Sequence, residues 1–203
     1  MFLIGSGEMI SAEALASFQI RSEKTALCIV DFQERLAAVM PQAERDACER
    51  NIALLLDLAQ RHAWPVLVCE QYPMGLGKTV ARLAEPIKAF TGSLVRLEKL
   101  HFSATAAPGF AELFARINRP QWIVTGMETH VCVFQTVRGL LQLGASVQVP
   151  HDAVVSRTIS NRQTGLALIE RMGAVVTCTE TVIFDALVAA GTDDFKALSR
   201  QLR

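Results

Sequence analysis

The chain has 203 residues, is 51% hydrophobic and 20% charged, and carries 20 basic residues against 20 acidic ones. A chain of this length can bury one large core without disulfides or metals. Zero net charge, with no basic run or arginine stripe, argues against a nucleic-acid partner, and the apolar runs are too short to span a bilayer, so no membrane partner is expected.

Residues 1–20 open with a short apolar stretch that has no basic leader and is interrupted by Glu8 and Glu13. That makes a poor signal peptide. The segment reads as an N-terminal arm or peripheral helix, followed by a single domain over residues 21–203. The cysteines are Cys28, Cys48, Cys69, Cys132 and Cys178, an odd number with no CxxC pair. No disulfide framework is expected, and a reducing, cytoplasmic setting is. His62, His101, His130 and His151 are widely spaced, with no HExxH or Cys/His cluster. The sequence therefore predicts neither a metal nor another cofactor.

The first strand is predicted at residues 25–30, a continuous apolar run ending at Asp31, as in a parallel strand buried on both faces. A long helix follows Pro41 to about His62, with Ile52, Leu55, Leu56 and Ala59 as its buried stripe. Further strands are expected at 65–69, 93–97, 122–125, 145–149 and 174–178. Helices are expected at about 108–117, through Cys132 to about Leu143, at 161–172 and at about 180–189. Alternating strands and helices make a three-layer α/β/α sandwich with a parallel sheet. Gly75-Leu76-Gly77-Lys78-Thr79 echoes a phosphate loop but lacks its full spacing.

Ligands of open α/β sheets sit beyond the carboxyl ends of the strands. Asp31, Lys99 and Cys132 fall after the first, third and fourth strands, so one crevice can gather them. Cys132, near the first turn of a helix, is biased toward thiolate and is a candidate nucleophile. Asp31 could move the thiol proton, and Lys99 could supply positive charge between them. Other readings stay open: a core cysteine, an aspartate capping a turn, a solvated lysine.

The ordered motifs Val30-Asp31-Phe32-Gln33, Glu70-Gln71-Tyr72-Pro73, Lys99-Leu100-His101-Phe102-Ser103 and Gly126-Met127-Glu128-Thr129-His130-Val131-Cys132 go further. From about residue 20 onward the chain resembles the isochorismatase-like cysteine hydrolases, and within them the isochorismatase domain-containing proteins. The resemblance implies the triad Asp31, Lys99 and Cys132 and a six-stranded parallel sheet in the Rossmann-like order 3-2-1-4-5-6. It also implies a cis peptide between Met127 and Glu128, an oxyanion hole from the backbone N–H groups of Glu128 and Cys132, and assembly as dimers, tetramers or octamers. Nicotinamidases carry metal-binding histidines after the second strand region. Here Glu70-Gln71-Tyr72-Pro73-Met74 has none, which points away from a metal.

Phe32, Tyr72, His101 and Phe102 are candidate pocket walls, with core packing or loop anchoring as the plain alternatives. Arg157 reads as a salt-bridge residue, and Thr129 as a cap for the helix carrying Cys132. The expected activity is metal-independent hydrolysis of a small amide or related C–N or C–O bond through a covalent Cys132 intermediate, by a homo-oligomer. The alternative is a non-catalytic binding or scaffold protein that retains the hydrolase fold.

Overall fold

The computed structural model describes residues 3–4, 8–9, 11 and 15–202. β1 (Thr25–Val30) is buried along its whole length. Successive side chains of a strand point to opposite faces, so Leu27 and Ile29 enter one apolar cluster and Ala26, Cys28 and Val30 enter another. The same division holds for β2 (Val66–Gln71), where Val66 and Val68 join the first cluster and Leu67 and Cys69 the second. The sheet continues with β3 (Leu94–Lys99), β4 (Gln121–Met127), β5 (Ser146–Pro150), β6 (Val154–Val155) and β7 (Val175–Thr177). All pairings are parallel, in the order β3-β2-β1-β4-β5-β7, with β6 beside β4.

The six strands read from sequence are thus present in the expected order. The two-residue β6 is additional, too short to carry a periodic signal. β3 also runs further than expected, so Lys99 is its last residue and not a loop residue.

The α-helices of eight or more residues among the described residues are α1 (Gln42–Arg61), α2 (Ala81–Ala89), α3 (Phe110–Ile117), α4 (Phe134–Gln142), α5 (Ile159–Arg171), α6 (Thr179–Leu187) and α7 (Asp193–Gln201). α1, α2, α6 and α7 pack on the Leu27 face, and α3, α4 and α5 cover the other. On α1 the buried stripe includes Ile52, Leu55, Leu58 and Ala59. Full burial of each leucine or isoleucine is worth about 1.5–3 kcal/mol, so the stripe, more than helix propensity, holds α1 in place. Thr158 and Thr192 cap α5 and α7 by accepting the N–H of Asn161 and Phe195.

Residues 1–2, 5–7, 10 and 12–14 of the expected N-terminal arm lie outside the described residues. Leu3–Ile4 pairs antiparallel with Glu8–Met9. Beyond residue 15 the segment is tied to the sheet. The Ser17 and Gln19 carbonyls accept from the side-chain amides of Gln148 and Gln121, and the Ile20 N–H donates to the Asp185 carboxylate.

The strand order reverses between β1 and β4, which opens a crevice at their carboxyl ends. Gly126 makes the approach close. It lies opposite Val30 in register with φ 113°, and a Cβ there would stand 2.0 Å from the Val30 carbonyl oxygen. No side chain fits, and the segments following the two strands are brought side by side.

Candidate active site

Asp31 follows β1 in the left-handed region (φ 50°), which aspartate tolerates better than most residues. Its N–H donates to the Cys69 carbonyl at 3.0 Å, and its side chain is fully buried. Lys99 Nζ donates to Asp31 Oδ2 at 2.5 Å and to the carbonyls of His101 and Phe102 at 3.1 and 3.0 Å. An ammonium has three protons, and each has an acceptor. Asp31 Oδ1, by contrast, is buried without a hydrogen-bond partner.

Cys132 does not sit in the first turn of an α-helix. Residues Thr129–Val133 form a π turn, and α4 begins only at Phe134. The Glu128 carbonyl accepts from the N–H groups of Val131 and Val133, at 3.0 and 3.2 Å. The peptide bond between Met127 and Glu128 is cis. Helix α5 presses on this turn through Gly165, where a Cβ would come within 2.8 Å of the His130 backbone nitrogen. The His130 ring is engaged with Ser156, its Nδ1 3.1 Å from Ser156 Oγ. The Thr129 hydroxyl is buried without a partner and caps nothing.

The thiol donates to Gln71 Oε1 at 3.3 Å. Its charge state differs from the sequence expectation. Burial pushes the Cys132 thiol well above its ordinary range, and the Asp31 and Glu128 carboxylates add to that, while Lys99 opposes them. These influences favour the neutral thiol over the thiolate. Burial raises the Asp31 carboxyl as well, against the opposing pull of Lys99 and of the Cys132 thiol. The carboxylate and thiol influence each other's titration, although Oδ1 has no hydrogen bond of normal geometry.

Cys132 forms part of the wall of a crevice of about 380 Å³. Leu36, Tyr72, Leu76, Phe102 and Val131 supply its apolar walls, and Gln71, Glu128 and Arg157 its polar ones. Tyr72 and Phe102 thus stand where the sequence predicted them. Phe32 does not: it is buried in the core cluster that contains α1. The left-handed Asp31 breaks the alternation of β1, so Phe32 joins the cluster of Leu27 and Ile29 and not that of Val30. The His101 ring does not line the crevice either; its carbonyl serves by holding Lys99. Arg157 makes the expected salt bridge, its Nε and backbone N–H both donating to Glu128 Oε2 at 3.0 Å.

Gln33 and Gln71 were not singled out from the sequence. The Gln33 amide clamps the Gln71 backbone, donating to its carbonyl at 3.0 Å and accepting its N–H at 2.7 Å, and also donates to the Gly77 carbonyl at 2.7 Å. Thr79 is held by Glu70 Oε1 through both its N–H and its hydroxyl. The glycine-bearing loop is thereby anchored to the end of β2. The only sequence signal for the clamp was an amide placed beside Asp31 and Phe32. Among the described residues, no group of three or more His, Cys, Asp or Glu side chains is arranged to hold a metal ion.

Together these features define an open α/β protein with a buried carboxylate–lysine pair and a thiol beyond its strand ends. The Isochorismatase domain profile matches residues 25–181. Isochorismatase domain-containing protein 2A of Mus musculus is 32% identical over 95% of this chain and 89% of its own length. The secreted isochorismatase effector Isc1 of Phytophthora sojae is 36% identical, and the match spans 68% of this chain and 66% of that protein. The match to isochorismatase domain-containing protein 1 of Danio rerio spans 47% of that longer relative. Among solved structures, the MAR1 ribonuclease from Caenorhabditis elegans superposes with a TM-score of 0.79 at 31% identity, over 91% of this chain and 92% of that one. YcaC from Escherichia coli, an octameric hydrolase of unknown specificity, has the same fold, with a TM-score of 0.80 at 19% identity over 90% of each chain. The chain belongs to the isochorismatase-like hydrolase family.

Proposed function

We propose that this chain is a metal-independent cysteine hydrolase that cleaves a small amide, or a related C–N or C–O bond, through a covalent Cys132 intermediate. The observation that carries the reading is the unpartnered, buried Asp31 Oδ1 beside a neutral thiol that borders a crevice. An acceptor left empty at the cost of burial is what a proton-transfer step needs. In the first step sulfur bonds to the substrate carbonyl carbon. The thiol proton passes to Asp31 and the carbonyl π pair moves to oxygen. The N–H groups of Glu128 and Cys132 are the proposed donors to that oxyanion. The tetrahedral adduct then collapses: the C–N or C–O bond breaks and Asp31 returns the proton to the leaving group. Water, deprotonated by Asp31, finally attacks the thioester; the C–S bond breaks and the proton returns to sulfur. Lys99, paired with Asp31 at 2.5 Å, balances its charge whenever Asp31 is ionised.

A crevice of about 380 Å³ with Tyr72 and Phe102 as walls suits a compact, partly apolar substrate better than a polymer. The reading is tested by mass spectrometry of intact wild-type and Asp31→Asn protein after exposure to a metabolite pool containing chelator. The expected result is a substrate-derived adduct on Cys132 that outlives the wild-type one in the Asp31→Asn protein. An adduct confined to another cysteine, with turnover demonstrated, would overturn the mechanism, and turnover that requires restored metal would overturn metal independence. Absence of both adduct and turnover would favour the binding-protein alternative.

We also propose a homo-oligomer, with the dimer as its minimal unit. Tyr72, Met74, Leu100 and Phe102 are exposed at the crevice mouth or next to it in sequence, with Met74 89% and Leu100 75% exposed. Large apolar side chains grouped this way are more often covered than left in water. Light scattering at micromolar concentration should give at least twice the mass of one chain; a single species of one-chain mass would refute the assembly. The five cysteines are all free, which fits a reducing compartment. No described helix is long and apolar enough to cross a membrane.

A further inference from the structure

The reactive sulfur has one hydrogen-bond partner of normal geometry among the described residues, and it is not a residue of the proposed triad. Cys132 Sγ faces Gln71 Oε1 at 3.3 Å. Which end of an amide faces a neighbour is settled by the whole of its hydrogen-bond network. Here the other end, Gln71 Nε2, donates to the Leu100 carbonyl at 3.4 Å. A carbonyl can only accept, so the NH2 end must face Leu100 and the oxygen must face sulfur. An amide oxygen attracts a donor and repels an anion. The network thus selects the protonated thiol, independently of any titration argument.

The amide is not free to turn away. Gln71 is the last residue of β2, paired in register with Lys99, and the Gln33 side chain clamps its backbone on both its N–H and its carbonyl. Gln33 is itself buried and is tied onward to Gly77. The charged groups that act on Cys132 are Asp31, Glu128 and Lys99. The two carboxylates disfavour thiolate and Lys99 favours it.

We propose that Gln71 is a positioning residue that holds Cys132 as an oriented neutral thiol in the empty site, deferring proton transfer to Asp31 until a carbonyl is in place. The deferral rests on the hydrolase reading above; the hydrogen bond itself does not. When substrate occupies the crevice, the S–C bond forms as the thiol proton leaves the Gln71 oxygen for Asp31 Oδ1, and the carbonyl π pair goes to the substrate oxygen. Between turnovers the site is spared a standing thiolate, the form that alkylating agents and oxidants attack. Gln33, through its clamp, sets the position from which Gln71 acts.

The S–H stretching band in the infrared tests this directly, because it lies clear of other protein bands and shifts to lower wavenumber when the thiol donates a hydrogen bond. The Cys132 component is identified as the part of the band lost in Cys132→Ala. In wild-type protein without substrate it should be present at neutral pH. In Gln71→Leu it should move to higher wavenumber, and in the nearly isosteric Gln71→Glu to lower wavenumber, since a carboxylate accepts more strongly. Absence of the band in wild-type protein would overturn the proposal, as would a band that neither variant moves. If Gln71→Leu fails to fold, Gln71→Glu alone decides. The measurement uses no substrate, so it can fail while the hydrolase reading stands, and that reading can fail through its adduct test while the hydrogen bond is upheld.

Discussion

Replacing Cys132 by alanine should abolish turnover while leaving the fold intact. The change removes one atom from a side chain that is 4% exposed and donates a single hydrogen bond. Loss of packing of that size costs about 1 kcal/mol, a small part of the stability of a domain this large. The effect on rate should be far greater. With no nucleophile the covalent route closes, and what remains is binding and electrostatic stabilisation of a water attack. Removal of a nucleophile that works as part of a unit typically costs on the order of 10⁴- to 10⁶-fold in kcat. The measurement is kcat/KM on a verified substrate, beside circular dichroism and a urea unfolding curve. A Cys132→Ala protein that keeps full activity would show that the nucleophile is misassigned. An inactive protein with a lost unfolding transition would show that the cysteine is structural.

The frame that holds this site was largely legible in the sequence, because it rests on local patterns. β1 was readable at both ends, since a strand buried on both faces is an unbroken apolar run. β3 was not, because it is an edge strand with no fully buried residue before Lys99, and it includes the exposed Arg96 and Glu98. Asp31, Lys99 and Cys132 could be named since each follows or closes a recognisable strand. The charge on Cys132 could not be read this way. A helix start suggested a thiolate, but a π turn leaves no mark in residue spacing, and the effects of burial, Asp31 and Glu128 exist only once the chain has folded. Phe32 was misplaced for a related reason: Asp31 takes a left-handed conformation, and the strand's alternation does not carry past it. Gln71 was invisible because its partners, Gln33, Leu100 and Cys132, come from three other segments.

Lys99→Met should be the most destabilising single change at the site, and its cost should depend on pH. Lys99 and Asp31 are both buried and joined at 2.5 Å. Removing one partner of a buried pair typically costs about 3–5 kcal/mol, since the remaining charge is stranded away from water. Stranded, Asp31 escapes the penalty by taking up a proton, so its folded-state pKa must rise further above the value of about 3.9 found in unfolded chains. Even with Lys99 present, burial already holds it above that value. A carboxyl whose folded pKa is raised binds more protons in the native state than in the unfolded one. Its stability is therefore intact below pH about 3.9 and is lost as pH rises toward the folded pKa, above which the loss levels off. Lys99→Met should accordingly lie closest to wild type near pH 4 and furthest from it at neutral pH. The double variant Asp31→Asn/Lys99→Met should recover much of the loss and lose the added pH dependence, because no charge is left to bury. Urea unfolding of the three proteins between pH 4 and pH 8 is the measurement. A Lys99→Met protein destabilised by the same amount at both ends of that range would mean that its cost comes from lost packing and the two carbonyl hydrogen bonds, and not from the charge on Asp31.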